Sequence, residues 1–187
     1  MTTDRQRRIE GLIALVLFGL SIPAANWLIG NVGTACVPNG PSLVPVAPGV
    51  MAPSGVLMVG LALVLRDIVQ RRLGAKAALI AIAVGALLSG LLAPPAIVIA
   101  SMAAFLLSEL TDFAVYTPLQ RRNFVAAVAA SGVIGLVVDS IVFLQLAFGS
   151  LDFIGGQIIG KAWMVLLALP LMHWLRRRDE RLGLAPA

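Results

Sequence analysis

The stretch AIVIASMAAFLLSELTDFAVY, residues 96–116, decides the fold. Apart from Glu109 and Asp112 it carries no charge, and its length is close to the ~20 residues that a helix needs to cross ~30 Å of hydrocarbon. An isolated apolar span must satisfy its own backbone hydrogen bonds in lipid, so it must be helical. The stretch therefore predicts a transmembrane helix that holds two carboxylates in otherwise lipid-facing sequence.

The same pattern recurs along the chain. Of its 187 residues, 59% are hydrophobic and 12% are charged, and the mean hydropathy is +0.97. A soluble domain carries about 25% charged residues, so this composition is typical of a multi-pass membrane protein. We predict an all-α membrane protein with one domain, residues 1–187, folded as a compact bundle of six transmembrane helices. Their approximate ranges are 9–30, 51–70, 76–93, 96–116, 124–148 and 153–175.

The Lys and Arg residues at the block ends predict the orientation of the bundle. They lie before the first block, between the second and third, between the fourth and fifth, and after the sixth. The opposite loops, 31–50, 94–95 and 149–152, contain neither residue. We therefore expect both termini in the cytoplasm. Topology accounts for most of the net charge of +5, so no nucleic-acid partner is indicated.

The uncharged first loop, residues 31–50, is rich in Pro and Gly and too broken for a helix. It forms either a plain outer loop or a lid that dips back into the bundle.

Six charged residues lie inside the apolar blocks, where a charge costs at least ~2.5–3.5 kcal/mol: Arg66, Asp67, Glu109, Asp112, Asp139 and Lys161. At ~1.5 Å per residue, Asp139 and Lys161 share one depth, which predicts an ion pair. Arg66 and Glu109 share another, although Arg66 has the alternative of snorkelling to the inner surface. Asp67, Asp112, Asp139 and Lys161 are the gate or ion-pair candidates. Four acids against two bases leave unpaired acid, which suggests a proton site, a cation site or a ligand with donor groups.

Helical periodicity groups the polar residues on faces. On the fourth block one stripe of about 100° holds Ser101, Phe105, Ser108, Glu109 and Asp112. Asp139 on the fifth block, Gln157 and Lys161 on the sixth, and Asn26 on the first complete a set that predicts one central polar cavity. The alternative is that these groups only hold helices together, at ~0.6 kcal/mol per hydrogen bond.

Other function classes find no support. One His and one Cys give no metal-ligand spacing, and no Walker-type Gly-rich loop is present. Asp112 and Asp139 differ in depth, which argues against an intramembrane aspartyl protease, and His173 at the membrane edge argues against a Ser–His protease. We therefore expect no catalytic residue, no cofactor and no metal.

Several segments together resemble the VUT family of prokaryotic membrane proteins, the queuosine precursor transporters. The segments are AANW with Asn26, LRDIVQRRLG with Asp67, ASMAAFLLSELTD with Glu109, VVDSIVFLQLAF with Asp139, and GKAW…LP with Lys161. Their order and spacing carry the resemblance over nearly the whole chain. It implies a cell-membrane importer of 7-deazaguanines, namely 7-cyano-7-deazaguanine or 7-aminomethyl-7-deazaguanine, that works without a dedicated ATPase.

The resemblance also implies roles for the polar residues. A carboxylate such as Glu109 or Asp112 accepts N1–H and the exocyclic amine of a guanine-like edge as a bidentate pair. Lys161 donates to the ring carbonyl or holds Asp139, and Phe105, Phe143 or Phe148 stacks on the base. The candidate substrate-binding residues are Asn26, Arg66, Ser101, Phe105, Ser108, Glu109, Asp112, Asp139, Phe143, Gln157 and Lys161. Besides the ligand and the lipid bilayer, we consider a homodimer, since small bundles often need a partner to enclose a pathway.

Two alternatives belong to other classes. Small six-helix proteins also serve as substrate-binding subunits of energy-coupling-factor importers, and Ala14, Ala24 and Ala25 are weak candidates for docking such a partner. A structural membrane protein without a ligand is the third reading, which the surplus of buried acid argues against.

Overall fold

The computed structural model describes residues 3–36, 41–93 and 95–183 of the chain. Within these residues six α-helices carry the fold: α1 (Thr3–Asn31), α2 (Val56–Leu73), α3 (Ala75–Leu92), α4 (Val98–Leu119), α5 (Phe124–Phe148) and α6 (Ile154–Leu182). A short 3₁₀ turn, Pro95–Ile97, leads into α4. The helices alternate in direction, so the N-terminal end of α1 and the C-terminal end of α6 lie at the same end of the bundle. We call this the terminal end.

The segment between α1 and α2 is a small antiparallel sheet, and we call the end where it lies the sheet end. Its strands, β1 (Ala35–Cys36), β2 (Ser42–Ala47) and β3 (Val50–Pro53), pair in the order β1-β2-β3. The hairpin between β2 and β3 turns at Gly49, whose φ of 72° favours glycine. Most of this sheet lies in residues 31–50, which were predicted as an irregular loop.

The sheet is held against the helix ends by specific contacts. Ser54 donates a hydrogen bond of 2.6 Å to the carbonyl of Leu28 in α1. The indole of Trp163 in α6 donates one of 2.9 Å to the carbonyl of Val46. Gly156 permits the close approach of β3, because a Cβ there would collide with the carbonyl of Met51. The sheet is therefore packed onto α1 and α6.

Two helix boundaries differ from the sequence prediction in an informative way. The second helix was predicted from residue 51, but residues 50–53 form β3 and α2 begins at Val56. The apolar run that suggested a longer helix is a buried strand, which periodicity alone does not separate from a short helical segment. The first and last helices are longer than predicted, because their charged ends continue the helix beyond the apolar block.

Five of the described helical segments are long and apolar enough to cross a membrane: those containing α1, α3, α4, α5 and α6. The predicted count of six spans is therefore not confirmed. The helix outside this set, α2, carries Arg66, Asp67, Arg71 and Arg72 within 18 residues, and all four side chains are buried. In contrast, the outer faces of the other helices expose large apolar side chains such as Leu20, Leu91 and Ile99. Such a surface suits lipid rather than water.

Two apolar clusters form the core on either side of α2. One joins α2, α4, α5 and α6 around Leu63, Tyr116 and Met172. The other joins α1 to α4 around Phe18, Ile22 and Phe105. Small residues bring the helices close, and a Cβ on Gly60 of α2 would lie 2.8 Å from the backbone oxygen of Lys161. The charged residues of α2 are thereby brought against α4, α5 and α6.

Candidate functional site: a ligand cavity backed by buried charges

A cavity opens among the helices and runs from the sheet end toward the middle of the bundle. Its empty volume is about 760 Å³, including its mouth. Pro53 and Gly55, which follow the sheet, form part of its wall near the mouth. All six helices contribute side chains to it. The cavity is largely apolar, with a few polar groups at its deeper end, the usual character of a small-molecule site.

Eight of the eleven predicted substrate-binding residues line this cavity: Asn26, Ser101, Phe105, Ser108, Glu109, Asp139, Phe143 and Gln157. The structure thus brings together residues from α1, α4, α5 and α6 that are far apart in sequence. The other three, Arg66, Asp112 and Lys161, do not line it. Arg66 and Lys161 lie behind the wall and contact lining residues, and Asp112 contacts Arg66.

Arg66 is the centre of the first charged group, which we call the Arg66 cluster: Arg66, Asp67, Glu109 and Asp112. Its Nε donates to Glu109 Oε2 at 3.1 Å, and its Nη1 lies 2.9 Å from Asp67 Oδ1. Nη2 donates to Asp112. All four side chains are at most 2% exposed, so Arg66 does not snorkel to the surface. Three carboxylates thus surround one guanidinium.

Neutral groups complete the surroundings of this cluster. Gln70 accepts from Arg66 at 3.0 Å and donates to Thr117 at 2.9 Å. Ser131 of α5 donates to Asp67 at 3.4 Å. The ring of Tyr116 lies 5.6 Å from the guanidinium carbon of Arg66, within the range of a cation–π contact. These contacts hold the guanidinium between its three acidic neighbours.

Three polar atoms in this region have no hydrogen-bond partner among the described residues. They are Asp67 Oδ1, Asp112 Oδ2 and the hydroxyl of Tyr116, and all three side chains are at most 1% exposed. A buried polar group without a partner usually costs about 1–3 kcal/mol, more when charged. Space near Asp112 is also tight, because a Cβ on Gly135 would lie 3.1 Å from its Oδ2.

Lys161 is the centre of the second group. Its ammonium donates to Asp139 Oδ2 at 2.6 Å, to Ser140 at 2.8 Å and to Gln157. Asp139 Oδ1 accepts from Ser108 at 3.4 Å. Lys161 is fully buried, whereas Asp139, Gln157 and Ser108 reach the cavity wall. The pair is therefore satisfied by its own neighbours and presents polar atoms to the cavity.

Both predicted pairings of charges occur, Asp139 with Lys161 and Arg66 with Glu109. Asp67 and Asp112 are both buried against Arg66, a pairing that the sequence did not predict. Depth along a helix axis gives no information on which neighbour a side chain faces, and these contacts could therefore not be predicted.

A third ionic group closes the terminal end, and sequence reasoning missed it. Asp179 of α6 accepts two hydrogen bonds from Arg71 and two from Arg72, at 2.8–3.0 Å. Glu10 of α1 contacts Arg72 at 2.9 Å and Arg178 at 2.7 Å. The arginines were interpreted only as topology signals. The sequence did contain a signal for these ion pairs, because Asp179 and Glu10 lie among the basic residues at the ends of the chain.

Sequence reasoning also missed Ser21 of α1 and Ser89 of α3, which line the cavity. Each is a single Ser in an apolar block, a pattern equally typical of close helix packing. Among the described residues, no group of three or more His, Cys, Asp or Glu side chains is arranged to hold a metal ion.

Comparison with known proteins gives a match to one family model. No curated protein and no solved structure matches the chain. Residues 86–175 match a family model described as "Putative vitamin uptake transporter", which supports a transporter role in a membrane. The match spans α4 and α5 and most of α6, and so includes Glu109, Asp112, Asp139 and Lys161. It confirms the resemblance to the VUT family over these residues, just under half of the chain, whereas the segments with Asn26 and Asp67 lie outside the match.

Proposed function

We propose that this protein is a secondary transporter that imports a queuosine precursor, a 7-deazaguanine, through the cavity described above. The observation that carries the proposal is the composition of the cavity wall. Carboxylate, amide and hydroxyl groups converge at its deeper end, where Phe105 and Phe143 add aromatic surface. A flat heterocycle with donors on one edge and an acceptor beside them fits this set of groups.

Glu109 is the residue we assign to the guanine-like edge. Its Oε2 already accepts from Arg66 and its Oε1 makes no hydrogen bond with the described residues. Each carboxylate oxygen has two lone pairs, so both oxygens retain room for a ligand N–H. Arg66 fixes the orientation of the carboxylate from behind the wall, which is the arrangement that a positioned bidentate contact requires.

Asp139, Gln157 and Ser108 are the groups we assign to the rest of the heterocycle and its substituent. Asp139 accepts a hydrogen bond from Lys161 through Oδ2, and it also lines the cavity. An aminomethyl substituent is cationic and suits this second carboxylate. A cyano substituent instead suits the donors of Ser108 and Gln157.

Uptake by the protein alone in liposomes tests the proposal. We expect the wild type to take up radiolabelled 7-cyano-7-deazaguanine, and Glu109→Ala and Asp139→Ala each to abolish uptake while the protein stays folded. Asp152→Ala is the matched control, since Asp152 is an exposed carboxylate outside the cavity. Full uptake by both cavity variants would show that this cavity is not the ligand site.

The same assay separates the transporter from a substrate-binding subunit of an energy-coupling-factor importer. Such a subunit binds its ligand in liposomes without moving it, because it needs a partner with ATPases. The alanines considered for docking have neighbours within this chain: Ala14 is buried, and Ala25 lines the cavity. We therefore favour transport by the chain itself.

A competition panel tests the substrate class. The matching family model is described by vitamin uptake, so vitamins and ordinary nucleobases belong in the panel beside the 7-deazaguanines. We expect only compounds with the guanine-like edge to compete. Competition by a vitamin without that edge would reassign the ligand while leaving the transporter in place.

The orientation is also proposed: both termini in the cytoplasm of a prokaryotic cell membrane, and the sheet end outside. Cys36 is the sole cysteine of the chain and is exposed in β1. A membrane-impermeant maleimide should therefore label it in intact spheroplasts, with Cys36→Ser as the unlabelled control. Labelling only after lysis would reverse the orientation. A homodimer remains a prediction, testable by cross-linking in membranes.

A further inference from the structure

We propose that the carboxyl groups of Asp67 and Asp112 form a proton-binding site, and that its proton enters the cell together with the ligand. Asp67 and Asp112 do not line the cavity, so the proton site itself does not depend on the proposed function. The coupling of proton movement to ligand movement does rest on the proposed function.

The Arg66 cluster has more negative than positive groups. With every group ionised, three carboxylates against one guanidinium leave two uncompensated negative charges in a buried region. Like charges that share a buried site do not all ionise, and one carboxyl group takes up a proton. The other buried cations have acidic partners of their own: Lys161 is held by Asp139, and Arg71 and Arg72 are held by Asp179.

Asp67 and Asp112 are the carboxyl groups best placed to share this proton. Asp67 and Asp112 contact the two terminal nitrogens of the same guanidinium, so their carboxyl groups are close neighbours. Asp112 Oδ2 is buried and has no hydrogen-bond partner among the described residues. A proton on either group provides the missing donor. Glu109 is less suited, because it lines the cavity and neither of its oxygens is among the buried atoms without a partner.

Among the described residues, the titratable groups that face the aspartate pair are Arg66 of α2 and Glu109 of α4, and α5 adds the hydroxyl of Ser131. Tyr116 of α4 lies over Arg66 and near Arg71. Arg71 is held by Asp179. The guanidinium of Arg66 fills the centre of the cluster and Gly135 packs closely against Asp112, so a proton fits where a hydrated cation has no room.

Glu109 links the proton site to the cavity, because it contacts Arg66 and also lines the cavity wall. With a proton on the aspartate pair, Arg66 is free to pair with Glu109, which stays ionised and able to accept two ligand donors. Without that proton, the negative charge around Glu109 favours protonation of Glu109 itself, and the bidentate contact is lost. Proton binding and ligand binding therefore reinforce each other, as required for symport.

One experiment needs neither ligand nor transport. We expect the purified wild-type protein at neutral pH to show the infrared C=O stretch of a protonated carboxylic acid, shifted in D₂O. This band should be lost or weakened in Asp67→Asn or Asp112→Asn and unchanged in the exposed control Asp152→Asn. Absence of the band from the wild type overturns the proposal, and so does a band that both aspartate variants retain.

A second experiment tests coupling in proteoliposomes with the membrane potential clamped. For one proton per neutral 7-cyano-7-deazaguanine, each unit of imposed pH gradient should sustain about a tenfold ligand ratio across the membrane. A pH-sensitive dye inside should report proton entry when ligand is added outside. Asp112→Asn mimics the protonated state, so it should exchange ligand across the membrane but neither accumulate it nor move protons.

The outcomes separate the two proposals. Ligand uptake by the wild type without proton entry overturns the coupling and leaves the transporter intact. No uptake of any 7-deazaguanine overturns the proposed function, and the infrared band then decides the proton site by itself. Accumulation driven by sodium, with no effect of pH, would replace the proton by a cation and also overturn the proposal.

Discussion

Neutralising the buried Lys161–Asp139 pair distinguishes a structural ion pair from a ligand-binding one. Lys161→Met removes an ammonium that has three hydrogen-bond partners and leaves Asp139 charged, with only 7% of its surface exposed. Removing one partner of a buried pair costs about 3–5 kcal/mol. The double variant Lys161→Met with Asp139→Asn leaves no unpaired charge, and Ser108 can still hydrogen-bond the amide. We expect it to recover most of that loss.

The magnitude follows from the size of the chain. A change of 1 kcal/mol shifts the midpoint of thermal unfolding by about 2–4 °C in a protein of this length. Lys161→Met should therefore lower the midpoint by about 6–20 °C, whereas the double variant should lie within a few degrees of the wild type. The difference gives a coupling energy of about 2–4 kcal/mol between the two positions. Thermal unfolding in one detergent, followed by tryptophan fluorescence, measures all three variants under the same conditions.

Ligand uptake by the same variants gives the functional result. If Asp139 contacts the ligand, the double variant recovers stability and still fails to transport. If the pair only holds α5 to α6, uptake returns together with stability, and Asp139 leaves the list of ligand contacts. A double variant as unstable as Lys161→Met would refute the reasoning, because the cost would then not arise from an unpaired charge.

Three further predictions concern other parts of the molecule. Asp179→Asn should leave two buried arginines without their acidic partner, at a cost of about 3 kcal/mol, and so lower the thermal unfolding midpoint by about 6–12 °C. The control Glu180→Gln changes an exposed neighbour and should have no measurable effect. Equal midpoints for the two variants would show that the terminal-end contacts contribute nothing to stability. Phe105→Leu should weaken ligand binding about tenfold in an equilibrium assay, since stacking contributes about 1–3 kcal/mol per base, and unchanged affinity would assign stacking to another side chain. Gly156→Ala should separate the sheet from α6, because its Cβ meets the carbonyl of Met51, and faster proteolysis of the sheet relative to wild type would report it.

The polar stripe on α4 could be predicted from the sequence because a single helix determines it. Ser101, Phe105, Ser108 and Glu109 follow one another at helical spacing, and all four line the cavity. Helical periodicity fixes the angle between side chains on one helix, whatever that helix packs against. Depth counting likewise placed Asp139 and Lys161 at one level, since both distances were measured from the same membrane surface.

Features that depend on packing between elements were not predicted. The sheet at residues 35–53 has Pro45 and Pro53 inside its strands, and proline argues against a strand when only sequence is considered. Its position against α1 and α6 stabilises it. The buried side of α2 was missed for a related reason. Arg71 and Arg72 resemble topology signals until the fold brings Asp179 to them from more than a hundred residues away.

The position of Glu109 explains why the surplus acid lies where it does. A carboxylate that only bound ligand would need one counter-charge, and Arg66 supplies it. Asp67 and Asp112 do not line the cavity wall, yet both contact the same guanidinium. Burying each extra carboxylate costs desolvation free energy, and a purely structural cluster would avoid that cost by having fewer charges. In the proposed proton site, a proton on this pair would leave the positive charge of Arg66 free to pair with Glu109, and its loss would make Glu109 compete with two other carboxylates. Under that proposal, the surplus of buried acids over bases lets a proton outside the cavity control a ligand contact inside it.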